Sequence, residues 1–82
     1  NHIFPITVYY KAHSRVLKVE SKDPISKLAC RIYDLFGRLV YENSFLNFNE
    51  TEILFDNPIS SLYFLVLDMG NQNQVERIYI PE

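Results

Sequence analysis

Apolar and polar residues alternate with a period of two along most of this 82-residue chain. Ile6, Val8 and Tyr10 alternate with Thr7, Tyr9 and Lys11, and Leu17 and Val19 with Lys18 and Glu20. Leu28, Cys30 and Ile32 alternate with Ala29, Arg31 and Tyr33, Ile53 and Phe55 with Glu52 and Leu54, and Ile78 and Ile80 with Arg77 and Tyr79. Successive side chains of a strand point to opposite faces, so each set predicts a half-buried strand. Arg38–Asn43 and Leu62–Asp68 predict two more, the second apolar on both faces as a central strand is. Turn formers separate the runs: Ala12-His13-Ser14, Ser21-Lys22-Asp23-Pro24, Asn47-Phe48-Asn49, Asp56-Asn57-Pro58 and Met69-Gly70-Asn71-Gln72-Asn73. Helix fits only as a single turn, near Pro24–Lys27 or Pro58–Ser61.

Seven short strands at this spacing predict an all-β fold, a two-layer immunoglobulin-like (Ig-like) β-sandwich of about seven antiparallel strands in Greek-key order. Residues 1–82 form one domain. The inner faces are expected to carry Ile6, Val8, Leu17, Val19, Cys30, Ile32, Val40, Ile53, Phe55, Tyr63, Leu65, Leu67, Ile78 and Ile80. In Arg38–Asn43 the opposite register, with Leu39 and Tyr41 inward, alternates equally well. A chain this short buries only roughly 60% of its unfolded surface, so its core is thin. A 48% share of hydrophobic residues, with six Phe and six Tyr, compensates.

Charge and cysteine content narrow the function classes. A net charge of −2 with interspersed signs argues against nucleic acid and anionic membranes, which favour a basic patch. The longest apolar run, Leu62 to Leu67, is far shorter than the ~20 residues of a membrane span. Cys30 is the single cysteine, so no internal disulfide forms. The first residue is Asn1 rather than Met, the mark expected of a processed or trimmed chain.

Candidate chemistry is sparse. His2 and His13 are the only histidines, and no His, Cys and carboxylate set has metal-ligand spacing, so no metal or other cofactor is expected. Cys30 falls at an inward strand position, where a cysteine behaves as a small hydrophobe. No serine sits on a Gly-flanked elbow. A two-sheet core about 10 Å deep leaves little room for the roughly 300–1,000 Å³ of a ligand pocket, so an enzyme is not expected. Tyr63 opens the most apolar strand and reads as a structural corner tyrosine. Tyr9, Tyr33 and Tyr79 fall on outer faces and are the candidate binding surface for a protein or a glycan. A free sheet edge that accepts an added strand is the other candidate.

Asp34-Leu35-Phe36-Gly37 predicts a hairpin tip between two of the strands. Gly37 takes positive φ cheaply where the turn ends, and Asp34 accepts bonds from loop amides. Its setting, Ile32-Tyr33-Asp34-Leu35-Phe36-Gly37-Arg38-Leu39-Val40, resembles the hallmark of the C-terminal sorting domains of Bacteroidota type IX secretion cargo. "VLKVESKDPISKL", "ETEILFDNPISSLYFLVL" and "QVERIYI" resemble other segments of that family, so the likeness spans Ile6 to Ile80. A second resemblance is to small stand-alone secreted sandwich proteins of gut Bacteroides with largely unassigned function. Both imply an Ig-like sandwich and a secreted, periplasmic or cell-surface address, where the tyrosine surface would meet a protein or glycan partner at the envelope. The Asn49-Glu50-Thr51 glycosylation pattern is then a chance match.

Overall fold

A computed structural model gives the structure of the chain, described here for residues 6–55 and 62–80. The described residues hold five strands and no helix: β1 (Ile6–Lys11), β2 (Val16–Tyr33), β3 (Leu39–Leu54), β4 (Leu62–Asp68) and β5 (Asn73–Tyr79). Every pairing is antiparallel. β3 follows one edge of β2 along most of its length, while β1 and β4 share the other edge. β1 pairs with residues 16–21 of β2, β4 with residues 29–33, and β5 lies outside β4.

Five strands stand where the alternation predicts seven, because two of the predicted breaks are bends inside strands. β2 runs through Ser21-Lys22-Asp23-Pro24, and β3 runs through Asn47-Phe48-Asn49. Glu20 pairs with Glu50 and Ile25 with Phe48, so Ser21 to Pro24 face Asn49 alone. Such a bulge bends both strands and tightens their twist. The turn-forming residues serve the bend. Ser21 Oγ donates to the Asp23 carbonyl, Pro24 has no N–H to leave unpaired, and Asn47 takes a left-handed φ of 52°. The residues of Pro24–Lys27 are strand, not a helical turn. Asp56-Asn57-Pro58 and the turn predicted at Pro58–Ser61 lie outside the described residues.

The bend folds the sheet over on itself. Ile6, Leu17, Val19 and Ile53 from one half pack in a single cluster with Leu28, Cys30, Ile32, Tyr63, Leu65, Leu67 and Ile78 from the other. The first layer is β1 with the outer portions of β2 and β3. The second is the rest of β2 and β3 with β4 and β5. Gln74 ties them at one end. Buried on β5, it donates from Nε2 to the Ile6 carbonyl of β1 at 3.0 Å and to Glu76 Oε2 at 2.7 Å.

Most predicted inner positions are buried. Val8 and Phe55 are half-buried, and the Phe55 ring meets Tyr63 edge-on at 5.1 Å and Tyr10 at 6.3 Å. Val40 is a correction, for it is exposed. Ile32 pairs with Tyr41 and Tyr33 with Leu39, which leaves Val40 as an unpaired bulge and turns Tyr41 toward the core. Phe48, read as a turn residue, is buried and packs its ring 5.2 Å from Phe45.

Candidate functional site

The second hairpin tip is built by one carboxylate. Asp34 follows β2 directly and is almost fully buried. Its Oδ1 accepts from the Phe36 and Arg38 amides, both at 2.9 Å, and its Oδ2 accepts from Arg38 Nε at 2.8 Å. Main-chain bonds close the ring: the Asp34 amide donates to the Arg38 carbonyl at 2.9 Å, and the Gly37 amide to the Asp34 carbonyl at 3.0 Å. Burial pushes the Asp34 carboxyl up, but the Arg38 amide, the Arg38 guanidinium and the Phe36 amide outweigh it and hold the group below its ordinary 3.8. The Arg38 guanidinium also lies over the Phe36 ring, 5.5 Å from its centroid. The outcome is a fixed loop whose two apolar residues, Leu35 and Phe36, stand in solvent at 54% and 79% exposure.

Gly37 makes the loop possible with a φ of 82°. A Cβ there would meet open space, so the constraint is backbone conformation, not room. Gly37→Ala should therefore cost about 1 kcal/mol, the usual penalty of a left-handed L-residue. In a chain of 82 residues that lowers Tm by roughly 4–8 °C, read by thermal circular dichroism. An unchanged Tm would show that the loop does not need the left-handed φ.

The three tyrosines do not form one patch. Tyr33 and Tyr79 share the outer face of the second layer, Tyr33 half-buried and Tyr79 66% exposed. There Tyr33 lies in the row Leu39–Tyr33–Phe64–Arg77, and Tyr79 pairs with Leu62 one step along the same face. Tyr9 lies on the outer face of the first layer, opposite Lys18. That face is zipped by charge: Lys18 Nζ contacts Glu50 Oε1 at 2.6 Å and Lys11 Nζ contacts Glu52 Oε2 at 3.2 Å. Phe64, Val66, Val75 and Arg77 on the second face escape a sequence reading. A strand apolar on both sides reads as central, and only the register shows that its second side faces outward. Arg38 stands in the motif read from the sequence, but its bond to Asp34, four residues before it, escapes that reading.

Other candidate chemistry can be placed among the described residues. No group of three His, Cys, Asp or Glu there could hold a metal, and His2 lies outside them. No helix there is long and apolar enough to cross a membrane. A groove of about 280 Å³ lies beside Ala29 and between Lys27, Leu46 and Asp68, just under the roughly 300–1,000 Å³ of a ligand pocket. Asp68 there stands 3.9 Å from Arg31, and among the described residues no histidine lines the groove. Cys30 is fully buried, and burial pushes its thiol up to about 11. A thiol-specific chromogenic reagent should leave the native protein unmodified and titrate Cys30 only after denaturation. Reaction at a free-thiol rate in the native state would contradict its burial.

Comparison with known proteins fits the loop and the fold. The family described as secretion system C-terminal sorting domain matches residues 8–81, which takes in β1 from Val8 onward, all of β2 to β5 and the whole Asp34–Arg38 tip. A search of curated proteins returns no match. The chain belongs to the secretion system C-terminal sorting domain family.

Proposed function

We propose that this chain is a non-catalytic sorting module that directs an attached protein through the type IX secretion system to the cell surface or the medium. The observation that carries the reading is the family match across residues 8–81. The Asp34–Arg38 tip supports it, because the residues of the family-like motif spend their bonds on holding one loop in place rather than on any reactive group. Its partners are then components of the secretion machinery at the envelope. We read the architecture as an Ig-like Greek-key sandwich. Counting each bent strand as two segments, one in each layer, gives the seven segments that the alternation predicts. The test is a fusion of the chain behind a periplasmically exported reporter in a type IX-competent cell. The reporter should reach the surface or the medium, and retention in the periplasm would overturn the reading.

A further inference from the structure

The two outer faces of the sandwich differ in kind. The first layer pairs Lys18 with Glu50 and Lys11 with Glu52, and Glu20, opposite Glu50, leaves it a carboxylate in excess. The second carries an apolar ridge that begins at Leu35 and Phe36 on the tip. It continues through Leu39, half exposed, onto Tyr33 and Phe64, and ends at Tyr79. These side chains add little to the core cluster, and Phe36, Tyr79 and Leu35 remain mostly in water. An apolar stretch held out of a thin core is costly for solubility and marks an interaction site.

Preorganisation and charge say what would cover it. Asp34 fixes the tip by three side-chain bonds and Arg38 holds the Phe36 ring, so docking orders little new structure. Two guanidiniums, Arg38 and Arg77, flank the ridge, and a carboxylate on the same face, Glu42, stands opposite Arg31 one row on. Arg38 is 64% exposed, and its carboxylate partner Asp34 is buried and saturated. Arg77 closes the row beside Phe64, exposed and without an ion pair among the described residues. Arg31, farther along the face, has Asp68 beside it. A second copy of the chain would set guanidinium against guanidinium.

We propose that this ridge, from Leu35 and Phe36 to Phe64, Arg77 and Tyr79, is the surface by which the secretion machinery grips the domain, and that its partner is a protein cleft, apolar at the floor and rimmed by carboxylates. The proposal rests on the sorting reading and names the contact within it. Aromatic anchors of this kind dominate binding energy in pockets, and complementary charge sets orientation and encounter rate.

The experiment compares reporter fusions carrying the wild-type chain, Leu35→Ser with Phe36→Ser, Arg77→Glu, Arg77→Lys and Tyr9→Ser, with the Tm of each chain measured separately. The double variant should melt within a few degrees of wild type, because neither side chain belongs to the core, yet lower secreted reporter roughly tenfold or more. Arg77→Glu should lower it severalfold, while Arg77→Lys and Tyr9→Ser retain it. Normal secretion of both the double variant and Arg77→Glu overturns the ridge as the contact and leaves the sorting reading intact. Normal secretion of Arg77→Glu alone overturns the carboxylate rim. A wild-type fusion that is not exported sinks the sorting reading, and this proposal with it. Light scattering on the isolated chain should give a monomer, and a Phe36-dependent dimer overturns the assignment to a different protein.

Discussion

Leu65→Ala should destabilise the domain by about 2–5 kcal/mol, the range for truncating a fully buried leucine. Leu65 has no solvent exposure and sits on β4 between Ile32 of β2 and Glu76 of β5. The hole it leaves is at the centre of the second layer, where strands on both sides limit collapse. The chain is short, and total stability of domains is only about 5–15 kcal/mol. The loss is therefore a large fraction of the whole and should lower Tm by roughly 10–40 °C. Leu46→Ala is the control. Leu46 is 76% exposed, and the same truncation there should change stability by less than about 0.5 kcal/mol. Similar melting curves for the two variants would mean that Leu65 is not in a packed core.

The alternation was legible wherever a strand is straight and its inner positions are apolar. β1 and β4 run over the residues their patterns mark, Ile6–Lys11 and Leu62–Asp68. β5 is longer than the pattern shows. Gln74 occupies an inner position and hides the rhythm, and its burial is understandable only once the Ile6 carbonyl is seen to accept its amide. Bends were misread as breaks because Ser21–Pro24 and Asn47–Asn49 contain the chemistry of a turn, and a bulge draws on the same chemistry. Phe48 shows the cost of that reading, for an aromatic inside a turn cluster is in fact core. Val40 was lost to a single-residue bulge, which reverses every face beyond it.

The candidate site was legible in its backbone and not in its surface. A glycine needing positive φ and an aspartate accepting loop amides follow from local rules, and both are found. Which outer face is charged and which is apolar depends on cross-strand register between residues far apart in sequence, such as Tyr33 with Phe64 and Lys18 with Glu52. Periodicity within one strand cannot supply that. The tip and the ridge meet only because the bulge at Val40 returns Leu39 to the outward face beside Tyr33.

Asp34→Ala should lower Tm by roughly 10 °C, and Asp34→Asn by less. Alanine removes the acceptor of all three side-chain bonds and leaves the Phe36 and Arg38 amides without their partner in a part-buried turn. Asparagine keeps an oxygen for the two amides and loses the charge that holds Arg38. The pH dependence separates these contributions. In the folded chain Asp34 titrates below its ordinary value of 3.8, so between the folded and unfolded values the unfolded chain binds more protons. The carboxylate's contribution is thus complete above about pH 4, and it is lost as pH falls through the folded value. Wild type and Asp34→Asn should differ most near neutral pH and converge in acid, which melts recorded from pH 7 to pH 2 would show. A gap that stays constant across that range would mean that charge at Asp34 is irrelevant to the tip and that its oxygens alone do the holding.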